Sequence, residues 1–243
     1  MIDRPQPLVP RPLRFTLRER LSADGDVLIP LDESQIDALA ARIVAEDAKA
    51  VAIGFLHAYA HDAHERRVRD LLQRRLPKDV TLCISSEVAP TAREVSRANA
   101  TVIQAYASSP ARKQLVRIED RLKDLRYSRN LKTVLGYGGI ADIRYPRLFE
   151  SAMSGPVGGL MGAKYLSTVM GEENIVCSDV GGTSFDAGAI TAGVLPIDRE
   201  PGFQDMYVNV PMLGIISIGA GTGTYIRLDP QTNRLKLGPD SAG

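Results

Sequence analysis

Apolar positions in the first third of the chain alternate between helical and strand-like spacing. Within residues 34–47 they recur every three or four positions, which predicts an amphipathic helix, and the apolar run 50–56 predicts a buried strand. Residues 62–76 and 80–84 repeat this order of helix and strand, and Pro77 ends the helix. The inward-facing residues of the first helix are Ile36, Leu39, Ala40 and Ile43. The pattern predicts an α/β fold.

Two further patterns flank this alternating region. Residues 13–20 and 27–31 have the spacing of a hairpin whose turn is Asp24-Gly25-Asp26. Residues 94–126 predict one or two long helices that are interrupted at Pro110, because proline cannot donate a helical hydrogen bond. The charges along these helices are spaced as a solvated face rather than as a nucleic-acid patch.

A β-rich run at residues 175–190 is broken by acids, glycines and hydroxyls. Two glycines allow a tight turn and close approach to an anion, and the two hydroxyls next to them add short donors. The loop residues are Asp179, Gly181, Gly182, Thr183, Ser184 and Asp186. No lysine follows the glycines as in a Walker A loop, and residues 185–190 and 194–197 are apolar, so the loop joins two strands. The pattern predicts a phosphate-binding hairpin; a tight turn whose Asp and Thr satisfy turn amides is the alternative.

A helix is predicted immediately upstream of this run. Residues 154–166 begin with Ser154 or Gly155 near the cap and Pro156 in the first turn. Small residues recur there at helical spacing and lower helix propensity, a cost expected where a neighbouring backbone comes close. They are Gly158, Gly159, Gly162 and Ala163. A small-residue helix followed by a strand, an acid and Gly-Gly-Thr resembles the order of segments around the second phosphate loop of the actin-like ATPases.

Four segments together resemble the hydantoinase A, 5-oxoprolinase and acetone carboxylase family. They are residues 87–94 with 101–106, residues 154–159, the loop 179–186, and residues 218–224 with the tail 238–243. The match runs in order over nearly the whole chain. Thr222 in the glycine turn and the tail 237–243 resemble acetone and acetophenone carboxylases more than oxoprolinases.

The resemblance implies a partial actin-like ATPase (ribonuclease H-like) α/β fold. Residues 1–86 would be the C-terminal part of the N-terminal lobe, and residues 87–243 the first part of the ATPase lobe. The implied activity is ATP-dependent phosphorylation of a carbonyl-derived oxygen, which drives hydrolysis of a cyclic amide or carboxylation of a ketone. The implied cofactors are ATP and Mg²⁺.

The resemblance also implies roles for individual residues. Asp179, Thr183 and Asp186 would be catalytic, with Asp179 holding the metal through water. Nucleotide binding would involve Gly181, Gly182, Thr183, Ser184, Gly219, Gly221, Thr222 and Gly223. The glycines at 219–223 either let a ligand approach closely, which the resemblance favours, or relieve a bend between two strands.

The chain departs from the family in one respect. Members begin with a first phosphate loop of the form Asp-x-Gly-Gly-Thr-x-Thr-Asp, and nothing before residue 175 has that shape. Residues 136–140 contain glycines, but no acid precedes them and no Thr or Ser follows directly. We therefore expect a middle piece of a longer enzyme that is inactive alone. The alternatives are a nucleotide-regulated binding module, like chaperones and actin relatives, or an incomplete fragment.

Composition narrows the class of protein. With 243 residues, of which 44% are hydrophobic and 24% charged, the chain can bury a core. A net charge of +1 gives no electrostatic case for nucleic acid or an anionic membrane, and no signal or spanning segment is visible. Cys83 and Cys177 fall in predicted buried strands, which indicates core positions in a reducing cytoplasm. The expected partners are a small cyclic amide or ketone, companion subunits or the rest of the enzyme, and further copies in an oligomer.

Two other groups of polar residues carry open alternatives. His57, His61 and His64 have spacing that could suggest a metal cluster, but only His64 falls securely in a helix, so a shared face is not expected. Residues 87–94, with Glu87, Arg93 and Glu94, follow a strand end, where α/β folds gather ligands. An active-site role and a structural ion pair are equally compatible with this placement.

Overall fold

The computed structural model describes residues 7–203 and 206–242 of the chain. Packing divides the chain into two compact units. Unit 1 comprises Met1–Lys132, Asp142–Glu150 and Arg199–Val210, and unit 2 comprises Thr133–Ala141, Ser151–Asp198 and Pro211–Gly243.

Unit 1 begins with the alternating elements that the sequence predicts, except that the first hairpin strand, predicted over residues 13–20, forms only at Arg20–Leu21. They are β1 (Arg20–Leu21), β2 (Val27–Ile29), α1 (Ile36–Ala45), β3 (Ala50–Ile53), α2 (Ala63–Gln73) and β4 (Thr81–Ile84), with 3₁₀ turns at Arg11–Leu13 and Glu33–Gln35. Strands β1 and β2 pair antiparallel, and Gly25 takes the positive φ of +94° in their turn. Strands β3 and β4 pair parallel, as a helical crossover requires. The core between them includes Ile36, Ile43, Val68, Leu72 and Ile84.

A long helix completes unit 1 and corrects one prediction. After α3 (Ser85–Val88), α4 runs unbroken over the 31 residues Glu94–Asp124 with Pro110 inside it. A proline within a helix costs about 3 kcal/mol. Buried residues on both sides of Pro110, including Gln104, Ser108 and Glu119, hold the helix together across this position. The predicted interruption at Pro110 is therefore wrong.

Buried polar groups fix the junction between strands and helices in unit 1. Glu65, which is fully buried, accepts hydrogen bonds from the Phe55 amide at 3.1 Å and the Ser86 amide at 2.9 Å. The Ser85 hydroxyl also donates to it, and the buried Arg97 guanidinium donates to that hydroxyl at 3.0 Å. Each charge in this network is therefore satisfied through hydrogen bonds, as buried charges must be.

A second buried carboxylate anchors the end of α4. Glu119 accepts hydrogen bonds from Arg144, from the Leu131 amide at 2.9 Å and from Lys123 Nζ at 3.0 Å. The Arg144 hydrogen bond, helped by those from Leu131 and Lys123, lowers the pKa of Glu119 to about 2. The remaining short elements are β5 (Lys132–Val134) and β6 (Ile140–Asp142), which form a two-stranded sheet, and the 3₁₀ helix Leu148–Ser151. The antiparallel pair β10 (Gly202–Phe203) and β11 (Met206–Tyr207) lies at the start of α4, where Asn99 Nδ2 donates to the Tyr207 carbonyl at 3.1 Å.

Unit 2 is built around a small antiparallel sheet. Helix α5 (Ser154–Met170) leads into β7 (Ile175–Val180) and β8 (Phe185–Ile190), and β13 (Ile215–Ile218) pairs with the free edge of β8. The strand order is β13-β8-β7. Two further antiparallel pairs are β9 (Ile197–Asp198) with β12 (Met212–Leu213) and β14 (Thr224–Asp229) with β15 (Arg234–Ser241).

One face of this sheet packs on α5 through Val157 and Leu160. The close approach lies on the strand: a Cβ on Gly188 would stand 2.9 Å from Leu160 Cδ2. Among the described residues, nothing lies within 4 Å of a Cβ placed on the helix glycines, which are Gly155, Gly158, Gly159 and Gly162. The predicted backbone contact of the α5 glycines is therefore wrong for this structure, whereas Pro156 lies in the first turn as predicted.

The opposite face of the sheet, called here the outer face, is apolar and open. Val176 is 82% exposed and Ile216 72% exposed, and Val180 and Ile218 are both more than half exposed. Cross-strand pairing puts Ile218 level with Phe185 and Val180 in one row, so the exposed residues form a continuous patch. Contiguous exposed apolar residues are typical of interaction surfaces. No helix in the described part of the chain has the length and apolar character needed to cross a membrane.

Candidate functional site

The predicted phosphate loop is the turn between β7 and β8. The Gly181 amide donates to the Ser184 carbonyl at 2.9 Å and closes the hairpin. Gly182 and Thr183 form its tip, where the Thr183 side chain is exposed. The amides of Gly182, Thr183 and Ser184 donate to no partner among the described residues. Consecutive amides at a turn that have no protein partner are potential hydrogen-bond donors to an anion.

The glycine turn at residues 219–223 packs directly on this hairpin. The Gly221 amide donates to the Thr183 carbonyl at 3.2 Å, and the Gly223 amide to the Gly182 carbonyl at 2.7 Å. The Thr222 amide donates to the Gly181 carbonyl at 2.9 Å. These three amides are therefore engaged by the protein and cannot also serve as phosphate donors. The sequence is compatible with ligand approach or bend relief at this turn and carries no local signal of its contact with the hairpin.

The end of β15 closes the same cluster. Ser241 Oγ donates to the Gly182 carbonyl at 3.1 Å, and the Ala242 amide donates to the Gly223 carbonyl at 2.8 Å. Gly238 adopts a φ of +57° against the Gly219 carbonyl, where a Cβ would stand 2.6 Å from that oxygen. Gly243, the last residue of the tail, lies outside the described residues. The predicted loop, glycine turn and tail thus form one assembly in unit 2.

A polar row crosses the sheet at the base of the loop. Asp179 in β7 is the direct cross-strand partner of Asp186 in β8, and Ser217 in β13 is the partner of Asp186 on its other side. Asp186 is 8% exposed; its Oδ2 accepts from Ser184 Oγ at 3.1 Å, and its buried Oδ1 has no partner among the described residues. Ser217 was not predicted, because register across three strands is needed to place it.

These carboxylates fit a hard divalent cation. Like charges directly opposite each other in a sheet destabilise it, and a bound cation relieves that repulsion. Mg²⁺ is commonly held by one or two carboxylates with several waters retained. The described part of the chain contains no group of three or more acidic, histidine or cysteine side chains that could hold a metal ion together. A metal site among these residues would therefore use at most two of their side chains. Asp179, which is exposed, and Asp186, with its free oxygen, are the residues that would hold Mg²⁺.

The histidines do not converge. His64 Nδ1 lies 2.8 Å from Glu19 Oε2, and His61 Nε2 lies 3.1 Å from the Ala23 carbonyl. His57 Nδ1 is buried without a partner among the described residues. The two cysteines are free and partly buried, and burial raises the pKa of Cys83 to about 11. A thiol with so high a pKa is a poor nucleophile.

The charged residues after β4 make ion pairs within unit 1. Glu87 accepts from Arg66 at 3.0 Å and from Arg69 at 2.8 Å. Arg93 pairs with Glu200, and its positive φ of 72° precedes the start of α4. Of the two interpretations left open by the sequence, these contacts support the structural one.

Comparison with known proteins identifies the family. Residues 97–243 match the hydantoinase/oxoprolinase family model, and residues 1–76 match the model of the hydantoinase/oxoprolinase N-terminal region. The chain belongs to the hydantoinase/oxoprolinase family. It is 38% identical over 240 residues to the acetone carboxylase beta subunit of Xanthobacter autotrophicus. The aligned region covers 98% of this chain and 34% of that subunit.

Solved structures agree with this family membership. A nucleotide-free acetone carboxylase matches with a TM-score of 0.90 and 38% identity, covering 98% of this chain and 34% of that one. The ATP-dependent caprolactamase of Pseudomonas jessenii matches with a TM-score of 0.83 and 31% identity, covering 100% of this chain and 35% of that one. The fold is thus the mixed α/β fold of these family members, and the chain spans about a third of their length.

Proposed function

We propose that the β7–β8 hairpin is the second phosphate loop of an ATP-dependent family enzyme with an actin-like ATPase fold. The observation that carries this proposal is the set of three free amides at Gly182, Thr183 and Ser184, beside the paired carboxylates of Asp179 and Asp186. The acetone carboxylase and caprolactamase that match this chain are both described as ATP-dependent. Residues 1–86 and 87–243 would belong to successive lobes of that fold.

The proposed reaction is transfer of the terminal phosphoryl group of ATP to a carbonyl-derived oxygen. In such a reaction the protein mainly positions the phosphates and offsets charge. The free amides and the exposed Thr183 hydroxyl would hold phosphate oxygens, and Ser184 orients Asp186 through its hydrogen bond. Mg²⁺ held by Asp179 through water, with Asp186 close by, would supply neutralisation of phosphate charge.

The glycine turn would act indirectly. Because the amides of Gly221, Thr222 and Gly223 bind hairpin carbonyls, they hold the shape of the loop rather than the phosphates. Gly221, Thr222 and Gly223 would therefore position the loop rather than bind the nucleotide directly. Gly219 stays open to a ligand, because nothing among the described residues lies within 4 Å of a Cβ placed on it.

The site would be completed by other polypeptide. The outer face exposes Val176 and Ile216 to water, which indicates that something covers it in the active assembly. Acetone carboxylase beta is by name one subunit of a larger enzyme. We therefore expect companion subunits or the remainder of a longer enzyme, in an oligomeric cytoplasmic assembly, with a cyclic amide or a ketone as substrate.

Titration calorimetry with MgATP tests the proposal. The chain alone should bind weakly or not at all, and a companion supplying an Asp-x-Gly-Gly-Thr loop should restore micromolar binding and ATP hydrolysis. Asp179→Ala should abolish that hydrolysis without unfolding the chain, while Glu173→Gln, an exposed change in unit 2, should leave it intact. Hydrolysis retained by Asp179→Ala would remove Asp179 from the mechanism.

A nucleotide-regulated binding module is the second candidate, and the exposed outer face favours it. Such a module would bind MgATP and change its affinity for a protein partner without turning over a carbonyl substrate. Product analysis of the reconstituted assembly separates the two: phosphorylated or ring-opened product, or carboxylated ketone, identifies the enzyme.

A further inference from the structure

A groove of about 620 Å³ lies in unit 1 between strand β4 and the C-terminal half of α4. All four residues of β4, Thr81–Ile84, line it. Side chains of a strand alternate between two faces, so consecutive residues can share one groove only along the strand's backbone edge. The groove therefore runs along the edge of β4 that faces away from β3.

This edge lacks three common forms of protection. Among the described residues β4 pairs with β3 alone, so its outer backbone groups have no strand partner. Natural edge strands are blunted by proline, by charged residues or by a bulge. Strand β4 has the sequence Thr-Leu-Cys-Ile, which contains neither proline nor charge, and it pairs with β3 in continuous register. The edge is open to addition of another strand.

Helix α4, which packs against both β3 and β4 and so covers one face of this sheet, gives the groove a cationic wall. Lys113 and Arg117 are exposed on α4 and have no carboxylate within ion-pair distance among the described residues. Arg112 donates to the Arg144 carbonyl at 2.7 Å and to the Tyr145 carbonyl at 2.9 Å, so its charge is held in place without being neutralised. These three cations face one groove.

The acidic residue that lines the groove does not neutralise the charges of Arg112, Lys113 and Arg117. Glu87 lines the groove but already accepts from Arg66 and Arg69, and Arg147, also in the lining, pairs with Glu150. The groove thus combines an unpaired backbone edge with an excess of positive charge on its other side.

We propose that this groove binds an extended acidic segment of a partner polypeptide. The segment would add to β4 as a further strand, and its alternate side chains, on the side facing α4, would present carboxylates to Lys113 and Arg117. Strand addition gives affinity through main-chain hydrogen bonds, and side chains supply specificity. A small anion would use the cations but leave the backbone edge of β4 unpaired. This binding needs no nucleotide and is independent of the phosphate loop.

Fluorescence anisotropy with a labelled, blocked peptide tests the proposal. The probe is the hexapeptide Glu-Val-Glu-Thr-Glu-Val, and three competitors are compared: the same peptide with Gln for Glu, the same peptide with alternate backbone amides N-methylated, and citrate. We expect the acidic peptide to bind, the Gln and N-methyl peptides to compete poorly, and affinity to fall as salt is raised. Full competition by citrate, or by the N-methylated peptide, would overturn strand addition and indicate a small-anion site.

Charge reversal on α4 provides the matched variants. Lys113→Glu and Arg117→Glu should each weaken peptide binding by about fivefold, as expected for loss of a surface ion pair and gain of repulsion. Arg121→Glu, an exposed change on the same helix outside the groove, should not. Equal affinities for all three variants would overturn the proposal. In the unaltered chain, slower hydrogen exchange of β4 amides on peptide binding is a second readout that needs no variant, and unchanged exchange would count against the proposal.

Discussion

Gly221 lies so close to Gly181 that a Cβ on Gly221 would stand 2.6 Å from the Gly181 carbonyl oxygen. The obstacle is backbone on both sides, so a side chain cannot move out of the way. We predict that Gly221→Ala displaces the glycine turn from the hairpin and destabilises unit 2 by about 1–3 kcal/mol. Gly219→Ala, which meets nothing within 4 Å among the described residues, is the matched control and should change stability by less than about 0.5 kcal/mol.

Hydrogen exchange of the glycine-turn amides measures this effect locally, because the two units need not unfold together. Exchange of the Thr222 and Gly223 amides, which donate to hairpin carbonyls, should accelerate in Gly221→Ala and not in Gly219→Ala. Equal exchange in the two variants would show that the turn does not depend on this contact.

The glycines of α5 and of β8 should respond to alanine in opposite directions. Gly159→Ala lies in a helix with open space around it and should stabilise the chain by about 0.5–1 kcal/mol. Gly188→Ala would bring a methyl group within 2.9 Å of the buried Leu160 side chain and should destabilise by about 1–3 kcal/mol. Urea unfolding of each variant checks the signs, and a smaller side chain in Leu160→Val should restore part of the loss in Gly188→Ala.

Gly159→Ala also tests whether a companion polypeptide packs on α5. If a companion polypeptide packs on the glycine side of α5, Gly159→Ala should stabilise the isolated chain and weaken the assembled enzyme. An unchanged affinity for the companion would show that this side of α5 stays open to water.

Asp179 and Asp186 should couple divalent cations to stability. Without cation, Asp186→Asn removes repulsion from Asp179 and should stabilise unit 2 by up to about 1 kcal/mol. Millimolar Mg²⁺ should raise the unfolding midpoint of the unaltered chain, because an ion that binds only the folded state stabilises it. The midpoint of Asp186→Asn should respond less, whereas that of Glu173→Gln should respond like the unaltered chain. A Mg²⁺ response that Asp186→Asn keeps in full would place the cation elsewhere.

Glu119 should make stability depend on acid pH. Its pKa is lowered from the ordinary value of 4.5 to about 2 by hydrogen bonds from Arg144, Leu131 and Lys123. A carboxyl group whose pKa falls on folding stabilises the folded state above pH 4.5, and this contribution fades as pH falls towards 2. We predict that Glu119→Gln lowers the urea midpoint clearly at pH 7 and progressively less between pH 4.5 and pH 3. Asp120→Asn, an exposed neighbour on α4, should show no such trend.

Local sequence patterns predicted the elements that local physics determines. The turn at Gly25, the α1 and α2 faces and the β7–β8 hairpin follow from turn chemistry and apolar spacing. The continuity of α4 through Pro110 depends on the burial of α4 side chains against segments that are distant in the sequence. Local helix propensity predicts an interruption at this proline instead. The partners of Gly221 and Asp186 depend on which strands meet, so Ser217 in particular carried no signal in its own segment.

The outer face has a consequence for the protein in the cell. Four large apolar residues exposed on the two edge strands of the sheet, Val176 and Val180 on β7 and Ile216 and Ile218 on β13, are the kind of surface that chaperones hold and that drives aggregation. A chain displaying it without a cover is subject to continuous quality control, and its abundance then follows the supply of whatever shields the sheet. Where the cover is a separate polypeptide, an excess of this chain over that polypeptide should therefore be cleared or precipitate.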